Sequence, residues 1–333
     1  MLRFKNIKQF VWLAFTLQFS SLFSQELFPL SDNASNVPKG VLGLRVMNNS
    51  FIENGTLRNL NVVRLMYGMG SKFSIYASWS ASNHHGVNFP NNLVTHTHTP
   101  NGVVYSTGSF QRGLPYPYLF NGMYLYGKYR FLTYDRQNEH LRAAVYGEWS
   151  GISVAHDEAE PNLVDDTGGW GAGLILTYLK NKFAVSLTGG AIIPKMYEGL
   201  APDPISGQLI STEVIYGRAL KYNLSFGYLI YPKVYESYKQ TNWNIYLEFI
   251  GKSYEDAKVY QYGGTQEIPI NTPLLLRGSY LDICPGIQAI INSNTRIDLS
   301  LMAPLIKRSY SHFYPVVELA VEHYFFRRAK NHD

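Results

Sequence analysis

Residues 242–249 read NWNIYLEF. Trp243, Ile245, Leu247 and Phe249 share one parity, and Asn242, Asn244, Tyr246 and Glu248 share the other. Such period-two alternation is the signature of a strand with two unlike faces. It recurs along the chain while helical periodicity stays weak. It predicts twelve strands, near 41–47, 60–68, 72–81, 120–132, 140–153, 169–179, 183–192, 215–230, 242–252, 278–291, 295–305 and 315–326. Each has an apolar face, as in Leu42, Leu44 and Val46, in Val63, Leu65 and Tyr67, or in Trp170, Leu174 and Leu176. The opposite faces carry Arg45, Arg64, Lys128, Arg130, Arg142, Glu148, Lys221, Glu248, Asp298 and Glu318.

Alternation alone suits a soluble sandwich and a membrane barrel equally. Two further features separate them. Arg3, Lys5 and Lys8 precede a short apolar run, Phe10 to Phe23, so residues 1–24 read as a secretory signal. Its removal takes the formal charge from +5 to +2, so the basic balance implies no nucleic-acid partner. Beyond it there is no apolar run long enough for a membrane helix, and the single cysteine, Cys284, excludes an internal disulfide. An exported chain of this kind is either soluble or enters a membrane as a barrel.

The connections then decide. Short ones near 69–71, 133–139, 180–182, 231–241 and 292–294 alternate with long ones near 48–59, 82–119, 154–168, 193–214, 253–277 and 306–314. Up-and-down outer-membrane barrels have this asymmetry, with short periplasmic turns and long outer loops. Tyr and Phe gather at strand ends, as membrane-interface girdles do: Tyr118, Phe120, Tyr129, Phe131, Tyr134, Tyr228 and Tyr231. The expectation is an all-β, antiparallel, up-and-down transmembrane barrel of about twelve strands. Its parts are a signal at 1–24, an N-terminal periplasmic segment at 25–40, the barrel at 41–326 and a tail at 327–333.

Several stretches carry a resemblance: NASNVPKGVLGLRVMN (33–48), LYGKYRFL (125–132), QTNWNIYLEFIGKSY (240–254) and GSYLDICPGIQAIINSNTRIDLSL (278–301). They resemble a largely uncharacterised family of exported, transporter-like β-barrel proteins from Bacteroidota. The resemblance implies an outer-membrane location and passage of small solutes, and it names no substrate.

For chemistry, the polar strand faces would form a charged lumen that selects a small solute by charge and hydrogen bonding. An alternative is a closed barrel whose long outer loops bind a ligand, a metal or a surface. A third is a barrel lipid hydrolase, but the sequence assembles no Ser–His dyad, so no catalytic residue is assigned and the chain is read as non-enzymatic. His84, His85, His96 and His98 share the longest loop and have the ligand type for Zn²⁺, Cu²⁺ or Ni²⁺. No cofactor is otherwise implied. Asp157, Glu158, Glu160, Asp165 and Asp166 crowd the next long loop and read as a solvated acidic segment. The expected partners are outer-membrane lipid, the barrel assembly machinery and a small-molecule solute.

Overall fold

A computed structural model describes residues 28–53, 55–85, 96–99, 102–105, 110–111, 117–154, 158–202, 208–234, 237, 239–268, 270, 273–309 and 312–326. The signal at 1–24 and the tail at 327–333 lie outside these residues. Twelve strands close into one barrel: β1 (Leu42–Glu53), β2 (Thr56–Gly68), β3 (Phe73–Ser82), β4 (Leu119–Arg136), β5 (Glu139–Ser150), β6 (Gly169–Lys180), β7 (Phe183–Pro194), β8 (Ala219–Tyr231), β9 (Asn242–Tyr254), β10 (Gly278–Ile291), β11 (Thr295–Arg308) and β12 (Val316–Phe325). Each pairs antiparallel with its chain neighbour. β12 closes on β1 with Phe325 opposite Leu42 and Val321 opposite Val46. Closure leaves no strand edge unpaired, which a barrel in lipid requires.

The alternation sorts the side chains as expected. Val46, Val63, Leu174, Ile245, Leu299 and Leu319 point outward and are exposed, while Arg45, Lys128, Glu248 and Asp298 are buried inside. On β6 the outward face runs Trp170, Ala172, Leu174, Leu176 to Lys180, which pairs with Phe183 at the turn end. At about 3.3 Å per residue and a tilt of about 40°, that span rises about 25 Å, the height of a transmembrane barrel's apolar band. Tyr129, Phe183, Tyr228, Tyr231, Trp243 and Phe325 are exposed at the turn end, and Tyr118, Phe120 and Trp170 at the loop end.

Two features of the loop side differ from the sequence expectation. The connection at 48–59 is not long. β1 continues to Glu53, β2 begins at Thr56, and Asn48, Ser50, Asn59 and Asn61 hydrogen-bond across the pair. The outward face changes from Leu42, Leu44 and Val46 to Asn48 and Ser50 before Ile52, so the apolar pattern is interrupted before the strand ends. The long loops also carry sheets of their own. Tyr197–Pro202, Leu209–Ile215, Lys258–Gln261 and Gln266–Ile268 form one of four strands, and His96–Thr99, Gly102–Tyr105 and Phe110–Gln111 one of three.

Candidate functional site

The interior is filled rather than open, and the filling begins with the chain's own N-terminal segment. Residues 28–37 do not stay outside the barrel, as the expected periplasmic segment at 25–40 would. They run through the turn-side half of the lumen. Arg45 Nη2 on β1 donates to the Pro29 carbonyl (2.7 Å), and Glu248 Oε1 on β9 accepts from the Leu30 amide (2.9 Å). Ser31 Oγ meets Ser225 Oγ on β8 (2.6 Å), and Lys128 Nζ on β4 donates to the Asn33 carbonyl (2.7 Å). Thr177 on β6 accepts from the Ala34 amide (2.8 Å), Arg142 on β5 donates to Ser35 Oγ (2.7 Å), and Ser74 on β3 accepts from the Val37 amide (3.0 Å). Phe28 is the segment's apolar anchor, 1% exposed and edge-on to Tyr246 at 5.9 Å.

The space for this strand of chain comes from small inward residues. Ser74, Ser78, Thr177, Ser186 and Ser225 are all buried on the lumen face. Longer side chains there would occupy the space that residues 28–37 take.

Beside the segment, one wall is a buried ion network. Arg45 lies 3.2 Å from Asp298, 3.5 Å from Glu318 and 3.3 Å from Glu322, and Arg296 lies 2.9 Å from Glu322. Two guanidinium groups thus face three carboxylates. Gln288 links Asp298 to Tyr246, with both bonds at 2.7 Å. The facing wall is aromatic: Tyr76, Tyr126 and Tyr146 stack at 5.2 and 5.3 Å. Lys221 lies over Tyr146 at 4.8 Å and pairs with Glu148 at 2.5 Å, whose other oxygen accepts from Tyr124. Gly173 and Gly190 pass under the Tyr146 hydroxyl, where a Cβ would overlap it. The Tyr126 and Tyr146 hydroxyls are buried with no hydrogen-bond partner among the described residues.

The other expected lumen residues take lesser places. Arg64 is half-buried and donates to Ser78. Arg130 sits at the turn rim, donating to the Ser71 carbonyl at 2.8 Å, and Arg142 also holds Asp135 at 3.1 Å.

The loop end is covered in part from above. The β5–β6 connection turns inward, so Ala159, Glu160, Leu163, Asp165 and Asp166 are buried. The expectation of a solvated acidic segment therefore fails for Glu160, Asp165 and Asp166. The carboxylates are tolerated there because each finds partners. Glu160 pairs with Lys252 (2.7 Å) and His312 (2.6 Å). Burial pushes its carboxyl up, but the His312 and Lys252 charges outweigh burial and hold it well below the usual range. Burial lowers His312, yet Glu160 more than offsets that and raises it. Asp165 pairs with His84 (2.9 Å) and His85 (3.2 Å) and accepts from Asn121 (3.0 Å). His85 is buried and His84 half-buried. The structure thus joins His84 and His85 to an acid on another loop. His96 and His98 lie on the short strand His96–Thr99, and their side chains, like all of His156 and Asp157, fall outside the described residues.

Sequence reasoning missed the N-terminal segment because LFPLSDNASNVPKG has no alternation and reads as a linker. The available signal lay in its partners: serine or threonine at inward positions on several consecutive strands.

No family model matches the chain, and no curated protein matches it. Solved structures do. An outer membrane channel from Pseudomonas putida F1 superposes with a TM-score of 0.52 at 14% identity, covering 90% of this chain and all of that one. The NanC porin (TM-score 0.43, 6% identity, 86% of this chain and 100% of that one) and the toluene transporter TodX of Pseudomonas putida (0.34, 14%, 91% and 94%) are more distant. The likeness is one of fold, that of outer-membrane barrels.

Proposed function

We propose that the chain is an outer-membrane channel for a small polar solute, gated by its own N-terminal segment. The observation that carries this reading is how residues 28–37 are held. Their polar contacts to β1 and β3 through β9 are hydrogen bonds from backbone or hydroxyl groups, and their apolar contacts are the Phe28 ring and the smaller Ala34 and Val37. The bonds between neutral groups contribute about 1 kcal/mol each net and those to Arg45, Lys128, Arg142 and Glu248 about 1.5–3 kcal/mol, because water replaces them when they open. None of them belongs to the barrel ladder, so the segment can withdraw while the ladder stays intact.

Withdrawal would expose Glu248, Arg45, Lys128 and the serine-lined wall to solvent. Solute passing between this charged wall and the tyrosine stack would be selected by charge and hydrogen bonding. The likeness to an outer membrane channel supports the same reading. The proposal includes export through the signal at 1–24, the outer membrane of a Gram-negative cell, kinship with the Bacteroidota barrel family, lipid and assembly-machinery partners and a non-enzymatic role.

The buried 158–167 loop favours a second reading, a closed barrel that binds through its outer loops. Liposome uptake distinguishes them. The full chain and a variant lacking residues 28–37 are compared across sugars, amino acids and small anions and cations. Gating predicts faster uptake by the deletion variant, with a charge preference. No uptake by either protein would leave the closed, loop-binding barrel.

A further inference from the structure

Two long loops meet at the outer mouth through three side chains with metal-ligand chemistry. His84 Nε2 lies 2.9 Å from Asp165 Oδ2, and His85 Nε2 lies 3.2 Å from Asp165 Oδ1. All three donor atoms fall within 4.8 Å of one another. In a tetrahedral Zn²⁺ site with ligands at about 2.0 Å, neighbouring donor atoms are about 3.3 Å apart. The His–Asp separations already match that edge to within a few tenths of an ångström.

The groups around these ligands fix them in place. Asn121 Nδ2 on β4 holds Asp165 Oδ1 at 3.0 Å, as outer-sphere donors do for ligating carboxylates. The Asp165, Asp166 and Thr167 amides all fold onto the Asn162 carbonyl, at 3.2, 3.1 and 3.0 Å, so the acid stands on a tight turn. Phe51 of β1 packs edge-on to the His84 ring at 5.6 Å. Asp166 Oδ2 lies 4.0 Å from His85 Nε2, near enough to serve as a fourth ligand.

The two imidazole rings lie 3.8 Å apart, so both nitrogens and the carboxylate converge on one small volume.

We infer that His84, His85 and Asp165 form a binding site for a divalent transition-metal ion. Two imidazoles and a carboxylate select Zn²⁺, Cu²⁺, Ni²⁺ or Co²⁺ over Ca²⁺ and Mg²⁺, which take oxygen ligands. Occupancy ties the β3–β4 connection to the inturned β5–β6 loop and so fastens the cover over the lumen. The site stands whether or not the barrel conducts.

The test uses the full mature chain in detergent, without a polyhistidine tag and stripped with EDTA. Titration with Zn²⁺ and Co²⁺, followed by calorimetry and by the visible absorption of Co²⁺, should show one site with a tetrahedral Co²⁺ spectrum. His85→Gln and the double variant His84→Gln/His85→Gln should weaken it by more than about 100-fold, since loss of outer-sphere partners alone costs 10- to 100-fold. Asn121→Ala, which leaves all three ligands, should weaken it about 10- to 100-fold. His96→Gln/His98→Gln should leave it unchanged. Heat-modifiable migration of each variant reports that the barrel has folded. The inference is overturned if the wild type binds no equivalent of metal, or if the folded His84→Gln/His85→Gln variant binds as the wild type does.

Discussion

Truncating Phe28 tests the gate directly, because this ring is the segment's main apolar hold on the barrel. It is 1% exposed, clusters with Ala184 and Tyr246, and meets the Tyr246 ring edge-on. Burying a phenylalanine side chain contributes about 1.5–3 kcal/mol, and an edge-to-face aromatic pair adds about 0.5–1.5 kcal/mol. Phe28→Ala should therefore weaken docking by about 2–4 kcal/mol. At 1.4 kcal/mol per decade, that raises the undocked-to-docked ratio about 30- to 1,000-fold. In single-channel recordings the variant should dwell far longer in the conducting state, at the wild-type conductance per opening, and its barrel should melt as the wild type does. The converse perturbation locks the gate. Ser31 Oγ and Ser225 Oγ are 2.6 Å apart, and the chain's single native cysteine, Cys284, is buried. Oxidised Ser31→Cys/Ser225→Cys should be silent, and reduction should restore the wild-type trace. If Phe28→Ala changes open time less than twofold, or the oxidised double variant conducts as the reduced one does, the N-terminal segment is not the gate.

The remaining predictions concern the two polar clusters. His312 is raised by Glu160, so its share of the contact is complete below the ordinary histidine value of about 6.5 and is lost as pH rises through the raised value. Glu160 is depressed, so its share is complete above the ordinary glutamate value of about 4.3 and is lost as pH falls through the depressed one. The inturned loop should therefore be best protected between those limits. Once divided by the intrinsic base-catalysed rate, hydrogen exchange should show lower protection of the 158–163 amides at pH 8.5 than at pH 5.5, and His312→Gln should flatten that difference, with Lys252 still holding Glu160. An unaltered profile in the variant would remove His312 from the latch. In the ion network, Arg45→Met leaves Asp298, Glu318 and Glu322 with Arg296 as their main counter-charge. Breaking a buried pair from one side costs about 3–5 kcal/mol, so urea unfolding in vesicles should show a loss of that size. Arg45→Met combined with Glu318→Gln should recover part of it.

The barrel was legible because its physics is periodic. Lipid outside and a polar interior inside force a strict alternation, and all twelve alternating stretches became strands. Strand ends were less legible wherever the outward face left the apolar band. β1 continues through Asn48 and Ser50 because cross-strand amide and hydroxyl bonds sustain pairing there without any hydrophobic signal. The side sheets built from the long loops were invisible for a related reason: their strands are short, and in the larger sheet two hairpins from different loops must meet before either is stable.

The interior raises a different problem, because a charge at an inward position does not reveal what it faces. Glu248 reads as a pore-lining carboxylate in NWNIYLEF, yet both its oxygens are occupied, one by the Leu30 amide and one by Ser225 Oγ. Arg45, Lys128 and Arg142 likewise spend donors on the N-terminal segment. These residues could not be told apart from solute-binding ones by type or spacing, since a polypeptide backbone is itself a polar solute offering amides and carbonyls. That equivalence is the physical basis of the proposed gate. The groups that would bind a passing polar molecule are the same groups that hold the segment, so a solute supplying the same donors and acceptors competes with it. A solute that is carried should therefore shift the gate open in proportion to its concentration, whereas one that is excluded should not.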